Sequence, residues 1–412
     1  MSKKVERTAK RNGQRAQGLG RCRIPTYLLT SFVLSAAVIL PYMSPTMLRL
    51  DVNSESSKGV YVPGPGMRPQ LMFACCNQGK EALSALLADP SVFADLKELH
   101  AGLAIPIDEL SPDRAQLVHR LNEAGIPASA WIVLPGEQGY YVNASNAPQT
   151  ARWFAEFEKW SRENNLHWNA VGLDIEPDFR EFQWSKWRLA WTLLRRGFDS
   201  ERVNGPRQAY AALIHEMQVR GYRVQTCQFI FLADERKVHS TILERLFGLV
   251  DVRGDEEVLM TYTTFNHKAG AAMVWSYGQD TQALVVGSTL GSGNAAIDAK
   301  YGPLNWEEFS RDTIVASHFS REVGVYSLEG CVRQGFLLRL KTKDWNQGVE
   351  IPAAALARMH RFRAVVQGIL WTASHLLYFA TAFLIVVIWL VLLRIRRKHA
   401  ARGTSTPSIS NV

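Results

Sequence analysis

The chain has 412 residues, 47% of them hydrophobic and 21% charged, which excludes a disordered polypeptide and is enough for one large core or two ordinary ones. Its formal charge is +9, but the excess sits at the ends. Eight basic residues between Lys3 and Arg23, less Glu6, and five between Arg394 and Arg402 together carry +12, leaving −3 for the rest; nucleic-acid binding is not supported, and the basic balance reports orientation on a membrane.

In chain order, residues 1–26 read as a basic cytoplasmic segment. Residues 27–43 are an apolar run at the lower length limit for a membrane helix, and 27–48 are assigned to a transmembrane anchor. Pro41-Tyr-Met-Ser-Pro45 offers no small-x-small cleavage site, which favours an uncleaved anchor over a signal peptide. Residues 49–69 carry Asn53-Ser-Glu-Ser-Ser57 and Pro63-Gly-Pro-Gly66 and read as a linker.

From Gln70 a rhythm begins. β-rich runs at 71–76, 101–107, 128–134, 170–175, 223–232, 258–264, 283–287 and 324–328 alternate with amphipathic stretches, predicted as helices over 112–124, 151–165, 208–220 and 306–319. Gly125 and Gly221 fall just past a helix and Pro148 just before one, as helix ends prefer. This alternation over residues 70–345 predicts a (β/α)8 TIM barrel, flanked by N- and C-terminal transmembrane helices. An open doubly wound sheet is the second choice, but its G-x-G-x-x-G turn is missing after the first strand.

Residues 346–368 form an amphipathic connector whose basic stretch 353–363 reads as a solvated helix. Residues 369–393 are apolar and long enough for a second transmembrane helix, and 394–412 form a basic cytoplasmic tail, rich in Ser, Thr and Pro beyond Arg402. With the basic residues outside both apolar segments, the positive-inside rule puts both termini in the cytoplasm and the main domain across the membrane from it. Of five cysteines, Cys22 is then cytoplasmic and Cys75, Cys76, Cys227 and Cys331 face the outer compartment. They have no metal-ligand spacing, and His215 and His267 lack partners, so neither metal nor cofactor is expected. Cys331 and the Cys75-Cys76 pair sit at the ends of strands that are neighbours in a closed barrel; a disulfide there and buried free thiols are both open.

The chemistry centres on Asn169-Ala-Val-Gly-Leu-Asp174-Ile-Glu176-Pro177. Side chains alternate along a strand, so Asp174 and Glu176 point the same way, and Pro177 ends the ladder beneath them. Like charges so close raise a carboxyl's pKa, which makes Glu176 a candidate acid with Asp174 beside it. Trp131, Tyr140, Tyr262 and Tyr326 offer flat faces for sugar rings, and Glu329 is a further polar group at the mouth. Glu137, Asp108 and Asp234 are reserve carboxylates at strand ends. The seventh run ends without an acid, which weakens a two-strand pair of carboxylates and leaves substrate assistance from a single strand. Gly287-Ser-Thr-Leu-Gly-Ser-Gly293 reads as a loop over the mouth, with a phosphate cradle as its competitor.

These motifs resemble the chitinase-like family eighteen of glycoside hydrolases, whose fourth strand carries D-x-x-D-x-D-x-E, whose sixth resembles M-x-Y-D and whose eighth resembles G-V-M-x-W-S-L-D. The resemblance covers three short strands and implies that Glu176 is the acid, that Asp174 orients a substrate acetamido group, and that Met260, Tyr262 and Tyr326-Ser-Leu-Glu329 line the site. Asn169 and Gly172 stand in place of two of its aspartates, Thr263 replaces a third, and Tyr326 its tryptophan. The expected function is hydrolysis of an extracytoplasmic glycan, with N-acetylhexosamine as the implied sugar. The alternative is a catalytically silent barrel that binds glycan or organises an envelope complex. The expected partners are a glycan and the lipid bilayer.

Overall fold

A computed structural model describes residues 59–75, 80–290 and 300–403. The anchor expected at 27–48, the basic segment 1–26, Cys22, Cys76, residues 291–293 of the glycine-rich loop and the tail beyond 403 lie outside them. The described residues divide into two compact units, one within residues 59–374 and another of residues 375–403.

The larger unit is a closed barrel of eight parallel strands: β2 (Gln70–Ala74), β3 (Gly102–Ile107), β4 (Ala128–Ile132), β5 (Ala170–Ile175), β6 (Val224–Phe229), β7 (Glu256–Tyr262), β8 (Ala283–Gly287) and β9 (Glu322–Tyr326). Pairing of β2 with β9, from Gln70 opposite Glu322 to Ala74 opposite Tyr326, closes the ring. Each of the eight predicted runs contains one of these strands. They were legible because a parallel barrel buries both faces of each strand, so Leu71, Phe73, Leu103, Ile105, Val171 and Leu173 are wholly enclosed.

The helices are α1 (Lys80–Ala88), α2 (Pro90–Glu98), α3 (Pro112–Glu123), α4 (Ala147–Glu163), α5 (Lys186–Gly197), α6 (Glu201–Val219), α7 (Ile230–Lys237), α8 (Ile242–Phe247), α9 (Gly270–Gly278), α10 (Trp306–Ser317), α11 (Leu328–Arg333), α12 (Phe336–Thr342), α13 (Ala353–Ser374) and α14 (Leu376–Gly403). Local chemistry sets several of their ends. Ser111 accepts the Arg114 N–H at the start of α3, Gly125 takes φ +70° just beyond its end, and Asn305 with Glu308 forms a capping box on α10.

Three expectations change. The fifth run was read through residue 232, yet β6 stops at Phe229 and Ile230–Lys237 is helical; Ile230 and Leu232 are buried in the helical layer, where an apolar run looks the same as in a strand. The linker expected over 49–69 contains a strand β1 (Val60–Val62), antiparallel to β10 (Val349–Ile351) within the expected connector. The barrel unit therefore extends past both ends of residues 70–345. Three-residue strands far apart in sequence leave almost no periodic signal.

The basic stretch 353–363 is not a solvated connector. It begins α13, and Arg363 is buried against α7 and α9, its Nε donating to Asp234 at 2.8 Å and its Nη2 to Asp280 at 2.7 Å. α13 continues through Leu370 to Ser374, and the separate helix α14 holds the apolar segment Leu376–Arg396, 21 residues of mean hydropathy 2.8. That segment is long and apolar enough to cross a membrane.

Candidate active site

Alternation along β5 turns Val171, Leu173 and Ile175 toward the helices and Gly172 and Asp174 toward the barrel axis. The strand end is held from both sides. Asp174 lies opposite Cys227 of β6, and on the other flank the Val142 N–H donates to the Asp174 carbonyl at 2.9 Å while the Glu176 N–H donates to the Val142 carbonyl at 3.1 Å. Residues 140–143 thus extend the ladder by one rung and fix the backbone under both carboxyls.

Above β5 the axis is hollow. A cavity of about 80 Å³ is walled at its mouth by Trp131, Asp174, Cys227, Met260, Tyr262 and Tyr326. It exists because several inward positions are small, among them Ala74, Ala104, Ala130 and Gly172, where barrels of this type normally fill layers with branched side chains. A Cβ at Gly172 would meet only the Ala130 carbonyl oxygen, at 3.7 Å. Gly172→Ala is therefore expected to leave thermal stability unchanged or raise it by about 0.5–1 kcal/mol, since glycine costs a strand backbone entropy. A fall of the melting temperature instead would mean that β5 requires the glycine.

Burial dominates the electrostatics. Asp174 is 2% exposed, and its pKa is raised well above the usual carboxylate range, first by burial and then by the charge of Glu176, with the Trp131 indole acting in the opposite sense. The indole is near enough to act on the carboxyl yet outside hydrogen-bonding geometry, since Trp131 Nε1 and Asp174 Oδ1 are both buried without a protein partner. Glu176 keeps some surface at the rim, but protein surrounds it closely enough to raise its pKa to about 7. The Tyr262 hydroxyl and the Cys227 thiol are pushed up as well, by burial first and then by these two carboxylates among other charges, which places both side chains beside the pair. The rings of Tyr262 and Tyr326 pack at 5.5 Å, and the Tyr262 hydroxyl reaches only the Met260 sulfur, at 3.4 Å, a weak acceptor.

Asp174, Glu176, Trp131, Tyr262 and Tyr326 are thus brought together. Glu176 stands beside the cavity, close enough for its charge to act on Asp174 and Tyr262, and neither it nor Tyr140 nor Glu329 is among the residues walling it. Tyr140, at φ +59°, packs edge-on against Tyr141 at 4.8 Å, in a loop that Asn146 and Tyr210 hold from beneath. Glu329 lies on α11, where its charge acts on Cys331. The reserve carboxylates serve elsewhere: Asp108 faces Arg114 at 3.5 Å, Asp234 is buried with Arg363, and Glu137 is exposed, with its carbonyl taken by Arg180. The cavity's other acid among the described residues is Glu322, at the opposite end of the barrel, where Gln225 donates to it at 3.1 Å.

Cys227 was missed by sequence reasoning. The alternation Gln225, Cys227 along β6 was its available signal, because those positions face the axis when Val224 and Thr226 face out. Cys331 is a thiol, so no disulfide joins it to Cys75; Cys76 lies outside the described residues. Cys331 points instead at the Thr289 hydroxyl, 3.7 Å away, and burial pushes its thiol up to about 12. Thr289 also donates to the Ser327 carbonyl at 2.8 Å and is buried against Gly330, so the start of the glycine-rich loop is packed structure. His267 bridges Glu308 and the Tyr301 carbonyl, and His215 is exposed on α6.

The fold is that of a (β/α)8 barrel. No protein-family model matches the chain, and no curated protein matches it. Solved structures similar to it include a D-tagatose 3-epimerase-like protein (10% identity, 66% of this chain and 97% of that one, TM-score 0.38). Others are a D-allulose 3-epimerase from Methylomonas sp. (10%, 73% and 99%, 0.35) and the catalytic domain of a mannanase from Streptomyces sp. SirexAA-E (11%, 68% and 83%, 0.32). At such identities and scores these likenesses say nothing of activity.

Proposed function

We propose that the chain is a membrane-anchored glycoside hydrolase that acts on an extracytoplasmic glycan containing N-acetylhexosamine. The observation that carries this reading is that Asp174 and Glu176 stand two residues apart at the end of a buried strand that opens on Trp131, Tyr262 and Tyr326, where burial raises the pKa of both carboxyls. A carboxyl that titrates near 7 can give its proton to a leaving glycosidic oxygen at neutral pH and later take one from water. With the cavity's other described acid at the far end of the barrel, the second carboxyl of the reaction comes from the same strand. Glu176 then protonates the glycosidic oxygen, the substrate's acetamido oxygen attacks the anomeric carbon as that bond breaks, and Asp174 orients the acetamido group. Water, deprotonated by Glu176, opens the resulting ring. The apolar segment Leu376–Arg396 supports the anchoring, and the basic residues outside the two apolar segments support an extracytoplasmic barrel.

A silent glycan-binding barrel is the second reading. Gly172 favours it, because the family aspartate that would relay charge to Asp174 is absent there and no other acid among the described residues fills the space. Release of reducing ends from chitin oligomers, peptidoglycan and other glycans by the full-length chain in detergent decides between the two. Hydrolysis with a limb that falls as pH rises through about 7, as Glu176 gives up its proton, is the expected outcome. Binding of those glycans without hydrolysis at any pH would establish the silent barrel instead.

A further inference from the structure

Helix α5, in the connection that follows the D-x-E strand, carries a face that the proposed chemistry does not use. Trp187, Trp191, Leu194 and Phe198 recur at helical spacing along one side and are 88, 69, 55 and 59% exposed. The opposite side is attached to the barrel: Leu189 and Leu193 are half-buried, Arg196 pairs with Glu181 and reaches the Leu246 carbonyl at 3.3 Å, and Arg245 donates to the Gly197 carbonyl at 2.6 Å. The apolar stripe is therefore presented outward by a helix whose orientation is set from within.

The charge around the stripe is of one sign. Lys186, Arg188 and Arg195 flank it, Arg188 stacking on Trp184 at 4.1 Å, and residues 186–198 contain no acid; Asp199 and Glu201 come only after it. Tryptophan, phenylalanine and leucine on one face with lysine and arginine beside them describe a helix that lies in a membrane interface, apolar side down among the acyl chains and basic side chains among anionic headgroups.

We infer that α5 docks flat on an anionic lipid bilayer through Trp187, Trp191, Leu194 and Phe198. The inference rests on the membrane reading above, since the bilayer it needs is the one the chain is anchored in.

The test uses the full-length chain with a photoreactive benzophenone residue at Leu194, or at Val219, a more exposed position at the end of α6, reconstituted into phosphatidylcholine vesicles with and without phosphatidylglycerol. The Leu194 probe should crosslink to lipid, more so with phosphatidylglycerol, and the Val219 probe should not. Trp187→Ser with Trp191→Ser should cut the lipid adduct at Leu194 by about tenfold or more while the chain still sediments with the vesicles. A Leu194 adduct to a second copy or to another protein, or no adduct in chains that sediment with vesicles, would overturn the docking and leave the anchor standing. Failure of the chain to associate with vesicles at all would overturn both. Glu176→Gln should crosslink as the unaltered chain does, so a failure of the catalytic reading shows separately, in hydrolysis alone.

Discussion

Glu176→Gln is expected to lower glycan hydrolysis by about a hundred- to ten-thousand-fold, the usual worth of a positioned acid, and at the same time to make the folded chain more stable at pH 8. The two effects share a cause. Burial raises the Glu176 pKa from 4.5 to about 7. Below pH 4.5 the folded and unfolded chains both hold the proton; between about 4.5 and 7 the unfolded chain loses it first, so stability falls as pH rises, and the loss is complete above about 7. The interval corresponds to about 3 kcal/mol. Glutamine carries no such charge, so the variant should gain about that much on the unaltered chain between pH 5 and pH 8, read from thermal unfolding at both values. A carboxylate kept only for structure, satisfied by arginine or backbone donors, would behave oppositely: its removal would cost stability at pH 8. Lost hydrolysis accompanied by lost stability at that pH would therefore sink the assignment.

Arg363→Ala is expected to cost about 3–5 kcal/mol, the range for removing one partner of a buried ion pair. Arg363 is 6% exposed and Asp234 wholly buried. The guanidinium donates to Asp234, Asp280 and Ser276 and lies 4.0 Å over the Tyr277 ring, while Tyr277 and Gln367 donate to the same aspartate at 2.6 and 2.8 Å. Without the arginine, Asp234 is left as a buried charge with neutral donors only. Adding Asp234→Asn to Arg363→Met should restore part of the loss, measured as the urea midpoint in detergent. Equal midpoints for Arg363→Ala and the unaltered chain would show that α13 is held to the barrel by its apolar contacts alone.

Legibility differed by feature. The barrel strands could be read because each is a short apolar run bounded by turns, and Asp174-Ile-Glu176 stood out because two charges at the end of such a run are costly unless they are used or paired. Helices α1, α2, α5, α7, α8, α9, α11 and α12 are not among those the sequence predicts. In α7 and α9 the cause is composition: α9 is apolar nearly all round, being buried on most sides, so no periodic contrast marks it. Asp234 looked like a strand-end acid because helix α7 starts without a break from β6. Glu329 and Tyr140 were placed at the mouth by counting along the chain; α11 begins before Glu329, and the left-handed turn at Tyr140 sends its ring against Tyr141.

Local pattern by itself determined the number and order of the barrel strands, several helix caps, the apolar segment near the C-terminus and the common direction of Asp174 and Glu176. Those features depend on residues a few positions apart, through alternation, helical spacing and capping. Tertiary structure alone decided that small side chains from separate strands leave the axis hollow, that Asp174 shares it with Cys227, Tyr262 and Tyr326, and that Arg363 is a buried counter-ion. Each of these is a meeting of residues distant in sequence, and a carboxyl's proton affinity depends on the burial and charges that such meetings create.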